Sequence, residues 1–332
     1  MSNNYLTLSS QETTVICDPV FSEHHPLAAH DYVILTHLDN DALDFLADYD
    51  EQKTVYVSFE FYKLIQKLIA VKLLAETQVQ LKIIPYQYPL TLGDIRLTAF
   101  PNDDGQFGSF ALLATGPEKT VGYCDAVYTH GNHNKRIKRW KKIFQQSRLD
   151  ILVLGSKISP LTKNQNALSE NGMQEMLTKF ITKNNANAPL TALLSPFNPE
   201  RLYRYDKTAK LNQTPIIWNK NYLQLLQAFY PYAEFYGAEN LPLTSKSALV
   251  QSEQRHQLAA NKIFTDPAVL HPEAISITGL IYQKQLCALS QSELHDFTEY
   301  LAADQVIMKE DRSLNQNHLI PQKWLQSLAL TI

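Results

Sequence analysis

"VILTHLDNDALDFL" (residues 33–46) decides how the rest of the chain is read. An apolar run leads into Thr36-His37, Asp39 and Asp41 follow, and an amphipathic stretch then begins. Imidazole and carboxylate are the ordinary protein ligands of divalent ions. A strand that ends in a histidine and acids therefore reads as the lip of a metal site. The stretch carries one histidine where such a site would usually have three. It is a working centre, a rebuilt one, or the remains of one.

At 332 residues, 45% hydrophobic, with formal charge −3, the chain has the size and balance of a soluble protein with a sizeable core. Apolar runs stop short of a membrane span. The opening "MSNNYLTLSSQETT" lacks the basic-then-apolar layout of a secretory leader, so the cytoplasm is the expected compartment. Cys17, Cys124 and Cys287 stand far apart, which suggests neither a disulfide framework nor a cysteine zinc site. Glycine is 10 of 332 residues, about half or less of the usual ~7%, which counts against elaborate backbone-cradling loops. Charge is uneven. Residues 1–60 hold eleven acids against Lys53 alone, while "KRIKRWKK" (135–142) has six bases in eight.

Short β-rich runs at 13–17, 32–36, 54–58, 81–85, 94–100, 110–115, 120–124 and 150–154 predict strands. Helices are expected over about 42–50, 60–76 and 134–147; in the second, Phe61, Leu64, Ile65, Leu68, Ile69 and Leu73 recur at helical spacing. From 160 the rhythm becomes helix then strand, as in a small parallel sheet flanked by helices. The end returns to strand "AISIT" (274–278), helix "SELHDFTEYLAA" (292–303), strand "DQVIM" (304–308) and a last helix with Trp324.

Several of these strands end in polar residues: Asp18, then His37, Asp39 and Asp41, then "PNDDG" (101–105), then Asp125. Ligands of α/β proteins gather at the carboxyl ends of strands, so four such ends would bring several carboxylates into one cleft.

The order of elements resembles the metallo-β-lactamase superfamily, in particular its β-CASP branch, which includes ribonuclease J. Against the family's strand followed by T-H-x-H-x-D-H, "THLDNDA" keeps His37 and Asp41, with Asp39 for the second histidine and Ala42 for the last. "NDDGQFG" fits the next turn with Asp103 in the histidine's place. "GYCDAVYTHG" keeps Asp125, followed by His130-Gly131, and in "DILVLGSKI" Gly155-Ser156 replaces an acid-glycine pair. "LSPFNPERLYRYDKTAKLNQTPIIW" is similar to the β-CASP succession of strand, Arg-bearing helix and strand. The family's closing motifs fall near "CALSQSEL" and "VIMKED", neither with a histidine, and Glu310 stands nearest the last ligand position.

The resemblance implies an α/β fold: an αββα metallo-β-lactamase-like sandwich with an inserted β-CASP-like α/β cap. The core would comprise 1–158 and 274–332, and the cap 159–273. It implies metal-assisted phosphodiester hydrolysis, in which two divalent ions activate a bridging water and neutralise charge on the phosphoryl group. The ligand set would be His37, Asp39, Asp41, Asp103 and Asp125, one imidazole and four carboxylates. Such a set takes one or two divalent ions (manganese, magnesium or zinc) or none, with the harder ions favoured over zinc. The leading expectation is a homologue with lost or reduced hydrolase activity that keeps RNA or partner binding. One alternative is an active nuclease in which Asp41 handles the proton and His130 assists. Another is a structural subunit paired with an intact homologue or with a second copy of itself.

Plainer readings stand beside these. Asp39 and Asp41 suit an N-cap and first helical turn, Asp103-Asp104-Gly105 is a good turn sequence, and His130 and His133 fit a loop. Within 134–147, Ile137, Trp140, Ile143 and Phe144 form a buried stripe, leaving the bases on a solvated face. If that face meets RNA, Lys135, Lys138 and Arg139 are the expected phosphate contacts. Arg201, with Arg204, Tyr203 and Tyr205, would add contacts in the second domain.

Overall fold

Period-two apolar patterning folds as strands, and the 3.6-period stripes fall between them as helices. A computed structural model describes residues 5–19, 31–49, 53–155, 158–159, 169–184, 190–240, 249–251, 263–266, 289–309 and 328–332. The chain opens with β1 (Leu6–Ser9), β2 (Thr14–Cys17), β3 (Tyr32–Ile34), α1 (Asn40–Asp48), β4 (Thr54–Val57), α2 (Phe59–Ala70) and β5 (Gln80–Ile83). It continues through β6 (Leu90–Leu92), β7 (Ile95–Pro101), β8 (Phe110–Thr115), β9 (Thr120–Cys124), α3 (Asn134–Gln146), β10 (Ile151–Gly155) and β11 (Ile158–Ser159). Then come α4 (Glu170–Asn184), β12 (Leu190–Leu193), α5 (Pro199–Leu211), β13 (Ile216–Trp218), α6 (Lys220–Phe229), β14 (Tyr236–Gly237), β15 (Leu249–Gln251) and β16 (Ile263–Thr265). The described chain closes with β17 (Leu289–Ser290), α7 (Gln291–Leu301), β18 (Gln305–Lys309) and β19 (Leu328–Thr331).

The protein is mixed α/β and divides into two compact units. One comprises Met1–Lys63, Glu76–Ala167 and Cys287–Ile332; the other comprises Leu64–Ala75 and Leu168–Leu286. The first contains two six-stranded sheets, ordered β19-β1-β2-β3-β4-β5 and β18-β10-β9-β8-β7-β6. In the first sheet β2, β3, β4 and β5 are mutually parallel. In the second, β9, β10 and β18 are parallel and β8 is antiparallel to both β7 and β9, so β7 runs with β9.

The sheets share one core. Leu6, Leu8, Val15 and Ile34 from the first pack with Leu97, Leu112, Val121 and Val153 from the second. The alternate residues of the second sheet, Phe100, Ala111, Leu152 and Leu154, face Ile137, Trp140 and Phe144 of α3 and Phe297 and Leu301 of α7. Trp140 is stacked edge-on against Phe297, and its indole N–H donates to Asn102 Oδ1 at 3.2 Å. This bond fixes α3 to the loop after β7.

The second unit has a five-stranded sheet, β14-β13-β15-β12-β16, parallel throughout as the helix–strand rhythm predicts. α5 starts with Asn198, whose side chain accepts from Arg201 N, and has proline in its first turn, which needs no N–H there. Among the described residues no helix is long and apolar enough to cross a membrane.

Differences from expectation have local causes. α2 stops at Ala70 rather than 76 because Lys72 takes the left-handed conformation (φ 60°) and Leu73 N–H bonds back to Leu68 O, a helix-ending geometry. β1 and β19 pair in parallel at an edge the sequence leaves unmarked. "AISIT" and Trp324 lie outside the described residues.

α7 begins with a capping box: Ser290 Oγ accepts from Glu293 N, while the Glu293 carboxylate accepts from Ser290 N at 2.9 Å. Burial pushes the Glu293 carboxyl up, but the bonds from Ser290, Thr129 and His130 outweigh this and hold it below its ordinary value. A depressed pKa gives stability that is present above the unfolded value (about 4.3) and lost as pH falls through the folded one. Glu293→Ala is therefore expected to cost about 1 kcal/mol at pH 7, with the gap smaller at pH 3. Urea unfolding at the two pH values checks this; an unchanged gap contradicts it.

Candidate metal centre

Parallel strand direction places the carboxyl ends of β2, β3, β9 and β18 at one edge of the shared core, where a cluster of ionisable side chains assembles. The sheets are stitched there by backbone and side chain alike: Phe110 N donates to Thr36 O at 2.9 Å, and the Tyr123 hydroxyl donates to Asp18 Oδ2 at 2.7 Å.

Asp18 follows β2 in a left-handed conformation (φ 51°), which Asp tolerates better than most residues. Its carboxylate receives Thr36 N at 2.7 Å and Thr36 Oγ1 at 2.6 Å. With its proton given to Asp18, Thr36 Oγ1 accepts from His37 Nδ1 at 3.2 Å. This relay directs His37 Nε2 toward Asp39 Oδ2 at 3.2 Å and Asp125 Oδ2 at 3.1 Å. Asp39 is also the N-cap of α1, accepting from Ala42 N at 2.9 Å through its other oxygen. The capping reading of this residue holds, and its other oxygen lies beside His37.

Lys309 ends β18. Its Nζ lies 2.8 Å from Asp125 Oδ1 and 3.2 Å from the Tyr123 hydroxyl, with its side chain 12% exposed. Asp125 is thus shared: one oxygen faces the Lys309 ammonium, the other His37. Burial alone would lower the Lys309 pKa, but Asp125 and then Asp18 outweigh it and raise the pKa. Burial would likewise lower that of His37, yet Asp39, Asp125 and Asp18 hold it well above the ordinary value. Three carboxylates against one ammonium leave a charge deficit that a protonated imidazole partly fills.

His37, Asp39 and Asp125 could hold a metal ion, since their ligand atoms lie within 4.8 Å of one another. The donor set fits one ion with three protein ligands, with Thr36 orienting the imidazole from behind. Among the described residues no second set of ligands converges beside it. Asp103 accepts His133 N at 2.7 Å and Gly105 N at 3.1 Å, and so closes the 128–133 loop instead of entering the cluster. A Cβ on Gly131 would sit 2.2 Å from Asp103 Oδ2, so that loop is moulded on the carboxylate. Asp41 stands in the first turn of α1, outside the converging three. Glu310 lies outside the described residues.

His130, 40% exposed, pairs with Glu293 Oε1 at 2.8 Å and ties its loop to the start of α7. On α3, Lys135, Lys138, Arg139 and Lys142 are exposed, whereas Arg136 forks onto Glu60 and Lys141 lies over the Phe297 and Tyr300 rings. Arg201 is not a phosphate contact: it is 0% exposed, bonded to Glu170 and 3.6 Å from Asp266. Tyr205 is fully buried, and Tyr203 stacks on Tyr230. Asp18, Thr36, Tyr123 and Lys309 are site residues that the motif comparison passed over. Asp18 stood out as a strand-end acid, whereas Lys309 did not, since the strand read over 304–308 stops one residue short of it.

No family model matches the chain, and no curated protein matches it. A crystal structure of a protein of unknown function from Enterococcus faecalis V583 superposes with TM-score 0.66 at 13% identity, covering 100% of this chain and 96% of that one. The two share a fold along their length. Zn(2+)-bound PqqB from Methylobacterium extorquens overlaps 45% of this chain and 58% of its own, at 14% identity and TM-score 0.31.

Asp125 is held close to β10: a Cβ on Gly155 would stand 1.5 Å from the Asp125 carbonyl oxygen. Backbone cannot yield as a side-chain tip can. Gly155→Ala is expected to destabilise the protein by about 3 kcal/mol and to break the Lys309–Asp125 pair. Thermal unfolding checks this, and a loss below ~0.5 kcal/mol contradicts the close approach.

Proposed function

We propose that this chain is a metallo-β-lactamase-like protein of the β-CASP, ribonuclease J-like type whose two-metal hydrolysis has been lost, leaving an RNA- or partner-binding role. Two face-to-face mixed sheets with a His-Asp lip after β3 and an acid after β9 support the ancestry, and the parallel unit inserted between β11 and β17 supports a cap. One observation carries the loss. Asp103, which stands at a ligand position in the family comparison, is bound to two backbone N–H groups, and Asp125 is bound to Lys309. Two-metal hydrolysis needs ions about 4 Å apart, both held, to stabilise attacking and leaving oxygens together.

The cluster's other described side chains, Asp18, Thr36 and Tyr123, hold charge and position. Binding is supported by the exposed row Lys135, Lys138, Arg139 and Lys142 on a helix anchored through Trp140. Clustered positive charge of this kind gives salt-dependent phosphate affinity.

Two measurements test the reading. RNA and single-stranded DNA, incubated with the full chain and added manganese, magnesium or zinc, are expected to survive as they do with Asp125→Ala; cleavage that Asp125→Ala abolishes contradicts the loss. Lys138→Glu with Arg139→Glu is expected to weaken single-stranded RNA binding at least about tenfold and to flatten the salt slope by about 1.4. Unchanged affinity and slope reject α3 as the binding face.

A further inference from the structure

We infer that the Lys309 ammonium is the built-in cation of this site, occupying Asp125 in place of a divalent ion and admitting a metal at His37, Asp39 and Asp125 only when it is removed. The inference rests on the loss of two-metal chemistry proposed above and names the residue that enforces it.

An ammonium has three donors and no lone pair, so Lys309 cannot join a ligand set while charged. It is fixed from its backbone outward. β18 pairs with β10 through five residues ending at the Gly155–Lys309 partnership, so the side chain starts from a ladder rather than a loop. Its Nζ then meets Asp125 Oδ1 at 2.8 Å and the Tyr123 hydroxyl at 3.2 Å, while Tyr123 is itself bonded to Asp18. Withdrawing the ammonium would leave Asp125 and Asp18 facing one another across the tyrosine with no fixed positive charge on that side. Keeping it places a positive charge on the carboxylate that a metal would need. A divalent ion on Asp125 Oδ2 would sit across a single carboxylate from that charge, and would have to come between that oxygen and His37 Nε2, which lie 3.1 Å apart.

The test is titration of the full chain with Mn2+ and Zn2+ alone, followed by calorimetry and thermal shift. Lys309→Met removes the charge and supplies no ligand, Lys309→His replaces it with a ligand, and Lys309→Arg keeps the charge. The inference expects no saturable binding to the natural chain or Lys309→Arg. It expects saturable binding to Lys309→His, at least about 100-fold tighter than any residual binding by the natural chain, lost again in Lys309→His with Asp125→Asn, and a metal-dependent rise in Tm for Lys309→Met. Binding by the natural chain as tight as by Lys309→Met overturns it. If the substituted chains do not fold, the natural chain decides. Saturable binding, with a dissociation constant tighter than about 0.1 mM, that Asp125→Asn abolishes overturns the inference, and only weak, non-saturating binding that Asp125→Asn leaves unchanged supports it. Metal bound by the natural chain without nucleic-acid cleavage would defeat this inference alone; cleavage would defeat the proposed function.

Discussion

Asp125 needs a counter-charge, and the shape of the site follows from where it finds one. Asp18, Asp39 and Asp125 project from three strand ends into a region where His37 is 4% exposed and Asp18 7%. Carboxylates in such surroundings are strained by repulsion and by lost hydration unless a cation stands among them. Lys309 supplies that cation as a side chain of the same polypeptide. The cost of gathering the charges is then met within the chain, with Tyr123 and Thr36 donating to Asp18 and Ala42 N to Asp39.

The same demand explains the local architecture. A lysine at the end of β18 reaches Asp125 only because β18, β10 and β9 are parallel neighbours, and Asp125 approaches β10 closely only because Gly155 has no side chain. α3 and α7 cover the outer face of these strands, and the Glu293 capping box with His130 and Thr129 joins α7 to the loop after β9. Asp103, by contrast, has been absorbed into that loop. Two carboxylates at equivalent strand ends thus have opposite fates: one is held by an ammonium, the other by backbone amides.

Much of this was legible in the sequence. β2–β5 and β7–β10 announce themselves by apolar runs bounded by turn residues, and α3 by a stripe whose Trp140 and Phe144 are indeed fully buried. The meeting of His37, Asp39 and Asp125 could be read because ligand-bearing strand ends are a consequence of parallel topology. β1, β6 and β19 could not, since three or four residues carry too little periodicity and β1 pairs with a segment more than 300 residues away. Lys309 was hidden for a related reason: nothing near residue 309 marks it as the partner of residue 125. Arg201 misled because an arginine early in a helix looks exposed until Glu170 and Asp266 are found against it.

The central claim is that Asp125 is held by an ammonium. Nitrogen NMR of the side-chain amines in the natural chain, labelled with 15N-lysine and identified by loss in Lys309→Arg, tests it most directly. The account predicts one slowly exchanging ammonium resonance from Lys309, unchanged by chelator and unbroadened by added Mn2+. A Lys309 signal that exchanges as fast as those of exposed lysines, or that Mn2+ erases at stoichiometric concentration, would contradict it.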